Sequence, residues 1–131
     1  MNKTLLLIFS FLIITSTISP QSKIDINNLI DFDGLLYAPN SDKPYSGIIF
    51  DLYENSANKK LDGYYRNGLK NGKWTEFYLN GEKKIEGTYK NGQQDGPYTY
   101  SNEKGIIYRS EIWSDGGLKE TNRYVNGKLV E

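Results

Sequence analysis

The 131-residue chain contains neither cysteine nor histidine. Without cysteine there can be no disulfide, thiolate nucleophile, cysteine-ligated zinc or lipidated N-terminal cysteine. Without histidine the chain lacks the side chain that most readily moves protons near neutral pH. Proline is scarce, at four residues. Sixteen basic residues balance sixteen acidic ones, so zero net charge offers no electrostatic case for nucleic acid or for an anionic lipid surface. Apolar residues make up only 37% of the chain, which argues against a thick two-layer core. A thin sheet covered by amphipathic Tyr, Trp and Lys stems needs less apolar material.

What the chain does have is tyrosine and glycine, eleven and thirteen of them. That mixture suits short strands joined by tight turns better than it suits helices. Residues 1–22 read as an export signal, with Lys3 in a short positive start and an apolar run Leu5–Ile14. The run is too short to span a bilayer, which takes about 20 apolar residues. Cleavage is expected between Ser19 and Lys23, giving a periplasmic or secreted protein. An uncleaved segment tethering the chain to the membrane is the alternative. Residues 23–42 form an acidic lead-in with Asp25, Asp31, Asp33 and Asp42. Ile24–Ile30 is read as a short strand or one helical turn, and Leu35–Tyr37 as a first strand. Asp31-Phe32-Asp33-Gly34 lacks the further ligands and closing Glu of a calcium loop, so it is read as a turn.

Residues 43–131 are read as one repeat domain. Gly63, Tyr65, Asn67, Gly68, Gly72 and Trp74 recur 24 positions later as Gly87, Tyr89, Asn91, Gly92, Gly96 and Tyr98. Gly47–Tyr53 matches Gly72–Tyr78 at an offset of 25. Turn signals fall at Asn67-Gly68, Asn80-Gly81, Asn91-Gly92, Asn102–Gly105, Asp115-Gly116 and Asn126-Gly127. Such dipeptides accept the positive φ angles of hairpin turns. The intervals leave room for strands of about six residues, and none for a helix of three turns. The expected fold is all-β: an elongated, twisted antiparallel meander of repeated β-hairpins. The last unit decays, with Glu111 at the Gly87 position, Glu120 at the Gly96 position and Asn122 at the Tyr98 position, as array ends often do.

Gly63, Tyr65, Asn67, Gly68, Gly72, Trp74, Tyr78, Asn80, Gly81, Glu86, Gly87, Tyr89, Asn91, Gly92 and Gly96 carry a pattern that resembles the MORN family (membrane occupation and recognition nexus). The closest likeness is to its bacterial variant of YwqK-type, antitoxin-like repeat proteins. The resemblance implies stacked hairpins serving as a scaffold or recognition surface without catalysis. It also implies an antitoxin or immunity role, which an export signal fits awkwardly in its cytoplasmic form.

Two aromatic columns stand out, Tyr65–Tyr89–Trp113 and Ile49–Trp74–Tyr98. Each can be the sheet's own thin core or an exposed recognition face. Tyr65, Trp74, Tyr78, Tyr89, Tyr98 and Trp113 are therefore the candidate partner-binding residues, and another protein is the expected partner. Lys59-Lys60 and Lys83-Lys84 could instead touch lipid head groups weakly, or guard strand edges against aggregation. Asp51 and Glu76 occupy equivalent repeat positions, as a catalytic pair would, but solvated faces explain them as well. Ser46, Ser56 and Ser101 have no basic partner at motif spacing. No catalytic residue, cofactor or metal ligand is expected.

Overall fold

The computed structural model describes residues 22–130. The segment read as an export signal therefore lies outside the described residues except for Ser22. Thirteen strands follow in order: β1 (Lys23–Asp25), β2 (Ile30–Phe32), β3 (Leu35–Tyr37), β4 (Gly47–Leu52), β5 (Lys59–Arg66), β6 (Leu69–Lys70), β7 (Gly72–Phe77), β8 (Lys83–Lys90), β9 (Gln93–Gln94), β10 (Gly96–Ser101), β11 (Ile107–Ser114), β12 (Gly117–Val125) and β13 (Lys128–Leu129). One 3-10 turn, Ile26–Asn28, follows β1, and the Asp25 carboxylate caps it by accepting from the Asn27 N–H at 2.8 Å.

Eleven strands build one sheet in the order β1-β4-β5-β7-β8-β10-β11-β12-β13, with β6 beside β5 and β9 beside β8. This is the expected meander, made mixed by a parallel pairing of β1 with β4. Leu35–Tyr37 is the third strand and not the first. It pairs with β2 in a separate hairpin, and β1 precedes both. Strands of three residues are too short for period-two alternation to show, and β1 depends on a partner more than twenty residues away.

The two edges of the meander turn differently. On one edge the central residues are left-handed: Asn67 and Gly68 (φ 50° and 79°), Asn91 and Gly92 (49° and 84°), Asp115 and Gly116 (49° and 77°). Positive φ at both positions matches the right-handed twist of the flanking strands. On the other edge, Tyr78 N–H donates to the Glu82 carbonyl at 2.8 Å and Gly81 N–H to that of Tyr78 at 2.9 Å. Asn102 and Gly105 repeat this pattern with Ile106 and Asn102 as acceptors. A register shift precedes each such loop, between Glu76 and Phe77 and between Tyr100 and Ser101.

Each unit is stitched to the one before it. The turn N–H groups of Gly68, Gly92 and Gly116 donate to the carbonyls of Tyr45, Lys70 and Gln94 at 2.8, 2.8 and 2.9 Å. On the opposite edge Tyr53 and Tyr78 hydroxyls donate to the Phe77 and Ser101 carbonyls at 2.6 and 2.9 Å. Asn58 and Asn80 amides donate to the Leu79 and Glu103 carbonyls. The buried cluster of Tyr45, Ile49, Tyr65 and Trp74 sits at the N-terminal end, packed by Ile24, Ile26, Leu29, Leu36 and Leu61.

Candidate functional site

Both expected columns lie on one face and interleave into a single zigzag. Tyr65 meets Trp74 edge-to-face at 5.3 Å, and Trp74 meets Tyr89 at 5.8 Å. Tyr89 meets Tyr98 at 5.9 Å, and Tyr98 meets Trp113 at 6.3 Å. These separations and tilts suit the ring quadrupoles. The ladder comes so close to the backbone because glycines floor it. A methyl on Gly63 would lie 2.5 Å from Trp74 Cδ2 and Cε2, and one on Gly87 would run into the Tyr98 ring. The polar end of each ring is satisfied ten residues upstream: Trp74 Nε1 donates to the Tyr64 carbonyl at 3.2 Å, and Tyr98 Oη to that of Thr88 at 3.0 Å. Burial, and next the neighbouring Tyr89 hydroxyl, push the Tyr98 phenol above its ordinary value. Lys70 Nζ rests 4.5 Å from the Trp74 ring and 4.9 Å from that of Tyr89.

In the last unit a carboxylate replaces the glycine floor. Glu111 is only 6% exposed and stands opposite Tyr98. Its Oε2 accepts from Tyr100 Oη at 2.8 Å and from Trp113 Nε1 at 2.9 Å. Arg109 Nε lies 3.4 Å from Oε1, and the guanidinium covers the Tyr100 ring at 3.8 Å. Thr121, and not a ring, stands opposite Glu111 on β12, which lets a longer side chain occupy the floor. The swap of Gly for Glu and Tyr for Asn was visible in the sequence, but Glu111's role as the ladder's terminus was not.

The six candidate residues divide accordingly. Tyr65, Trp74 and Tyr98 are buried at 6, 6 and 3% exposure. They are the sheet's own core and present little surface to a partner. Tyr89 and Trp113 are half-buried members of the same ladder. Tyr78 lies outside it, just past the end of β7, with its hydroxyl holding the next unit. Exposed apolar surface gathers elsewhere. Eight of the twelve large exposed apolar residues fall within 106–130, among them Ile107, Ile112, Leu118, Val125 and Leu129.

The carboxylates are tied to lysines. Asp51 and Glu76 each stand opposite Leu61, so two strand spacings of about 4.8 Å separate them. Asp51 is bound by Lys60 Nζ at 2.8 Å and Asn27 Nδ2 at 3.1 Å. The Lys60 hydrogen bond holds its carboxyl below the ordinary value against the opposing effect of burial. For Glu86, burial opposes ionisation, but Lys73 at 2.8 Å and Lys83 at 2.6 Å outweigh it and lower the carboxyl. Lys59 likewise pairs with Asp62 at 2.6 Å. The Asp31–Gly34 stretch is the β2–β3 turn, with Asp31 Oδ1 accepting from the Gly34 N–H at 3.2 Å. Among the described residues no three acidic side chains gather as a metal site would require.

No family model matches the chain, and no curated protein or solved structure matches it significantly.

Proposed function

We propose that the chain is a non-enzymatic, exported repeat protein that binds another protein through its sheet, a MORN-like scaffold. The carrying observation is the division of its apolar surface. The aromatic ladder is used internally as core, whereas the C-terminal units leave Ile107, Ile112 and Leu118 exposed. Large apolar residues exposed in such numbers mark contact sites. Here they lie on both faces of the last hairpin, because Leu118 pairs with Trp113 whereas Ile112 precedes Trp113 by one residue in β11. The docking surface is therefore assigned to the C-terminal units, with Trp113 and Tyr89 at its border. Two further features support the reading. Asp51, which shares a repeat position with Glu76, is held ionised by Lys60 and so is poorly suited to proton donation. Lys59, Lys60, Lys73 and Lys83 each face a carboxylate, which favours a protein partner over a lipid surface.

The test compares tagged wild type with an Ile112→Lys/Leu118→Lys variant in capture from envelope extract, with circular dichroism confirming the fold. Loss of a specific captured protein supports the assignment; undiminished capture by the folded variant removes this surface. Fractionation with N-terminal sequencing checks export, and intracellular retention with residues 1–22 intact would overturn that part.

A further inference from the structure

The chain contains five Asn-Gly dipeptides, at Asn67, Asn71, Asn80, Asn91 and Asn126. Asn-Gly is the dipeptide in which the following backbone nitrogen most easily reaches the asparagine side-chain carbonyl, because glycine has no Cβ to obstruct it. That nitrogen must give up its proton to attack. A nitrogen whose N–H is donated to a carbonyl inside a folded sheet is held away from this reaction.

Three of the five nitrogens donate to carbonyls, and a fourth sits in a strand pairing. Gly68 N–H donates to the Tyr45 carbonyl, and Gly92 N–H to that of Lys70, both at 2.8 Å. Gly81 N–H donates to the Tyr78 carbonyl at 2.9 Å. Gly72 lies inside the β7–β8 ladder opposite Tyr89. Two of the asparagine side chains are engaged as well. Asn67 Oδ1 lies near Ser46 Oγ at 3.5 Å, and Asn80 uses both side-chain atoms, on Glu103 and Glu82.

Asn126-Gly127 differs because it is a two-residue turn on the opposite edge, where Gly81 N–H finds its acceptor inside a longer loop that this turn lacks. The turn has the same left-handed geometry as Asn67-Gly68 and Asn91-Gly92, φ 50° and 75°. Among the described residues, however, nothing accepts the Gly127 N–H and nothing engages the Asn126 amide. A Cβ on Gly127 would meet no atom within 4 Å, so water and base reach the turn freely.

We infer that Asn126-Gly127 is the chain's site of spontaneous deamidation, and that the repeat architecture shields the other four Asn-Gly pairs. The Gly127 nitrogen, once deprotonated by hydroxide or buffer base, bonds to Asn126 Cγ. The Cγ–Nδ2 bond breaks, and ammonia leaves with the added proton. Water then opens the cyclic imide at either carbonyl, giving aspartate or isoaspartate at position 126. Isoaspartate adds a methylene to the turn backbone. That added length is incompatible with the two-residue turn pairing Val125 with Lys128 and Tyr124 with Leu129.

The purified chain is incubated in warm, mildly alkaline buffer, and each Asn-Gly peptide is followed by mass spectrometry and isoaspartyl assay. Conversion at Asn126 is expected about tenfold faster than at Asn67, Asn80 or Asn91, the rate factor for about 1.4 kcal/mol of nucleophile hydrogen bonding. A parallel sample in strong denaturant should convert the exposed pairs at similar rates. Native rates at Asn67 or Asn91 that match Asn126 would overturn the inference. So would an equal lead for Asn126 in denaturant, which would trace the effect to local sequence.

Discussion

Replacing Gly63 with alanine tests whether the ladder depends on its glycine floor. The added Cβ would stand 2.5 Å from two atoms of the Trp74 indole and 2.9 Å from a third, far inside van der Waals contact. Trp74 is 6% exposed and edge-on to Tyr65 and Tyr89, so it can move only by disturbing both neighbours. Overpacking of this kind costs about 1–3 kcal/mol. Displacing the indole also weakens the Nε1 bond to the Tyr64 carbonyl, about 0.5–1.5 kcal/mol more. Alanine stiffens the unfolded chain and returns about 0.4–1 kcal/mol. The net loss centres near 2 kcal/mol, a factor of about 30 in the folded-to-unfolded ratio. Urea titration followed by circular dichroism reads it. The decisive comparison is a double-mutant cycle with Trp74→Ala. Removing the ring alone costs about 3–5 kcal/mol. Adding Gly63→Ala to that background should then cost almost nothing, a coupling of about 2 kcal/mol. An equal Gly63→Ala cost in both backgrounds would falsify the floor argument.

Two further outcomes follow from contacts outside the ladder. Tyr78→Phe deletes a hydroxyl donating to the Ser101 carbonyl at 2.9 Å, and is expected to cost about 1 kcal/mol, lowering the melting temperature by about 4–8 °C; an unchanged melt would show that this bond between units adds nothing. Glu86 has a folded-state pKa below its unfolded value, so the stability it contributes is present above the ordinary carboxylate pKa of about 4.3 and is lost as pH falls through the folded value. The wild-type urea midpoint should therefore fall on acidification across that window more steeply than the Glu86→Gln midpoint does, and parallel curves would refute the linkage.

Much of the fold was legible because the repeat states each element more than once. The Asn-Gly dipeptides mark one row of turns, and the aromatic spacing marks the strands between them. That the two columns share a face follows from the hairpin itself, since Arg66 pairs with Leu69 and every second residue beyond lies on one side. What counting misses is the break at Asn71-Gly72. Tyr65 pairs with Lys70, but Asp62 pairs with Thr75, a slip of two residues. The slip carries Trp74 past Leu61 to a place above Gly63. No local signal announces this, because the ring finds its floor only when the sheet is assembled. The pairing of β1 was hidden for the same reason, as three residues acquire a strand's geometry from β4. At the candidate site, the residue types were legible and their exposure was not. Burial of Tyr65 and Trp74 depends on neighbours from adjacent strands and on Ile24, Ile26 and Leu29 at the end of the array, and that of Tyr98 on the rings of Tyr89 and Trp113.

The stitching of each turn glycine to the strand before it has an evolutionary corollary. Every such bond closes within adjacent blocks, so copying or excising one 24-residue block leaves no donor orphaned. Growth of the gene by tandem duplication would lengthen the platform in quanta of one hairpin pair. The specialised termini, a 3-10 turn at one end and a buried glutamate at the other, would travel outward unchanged.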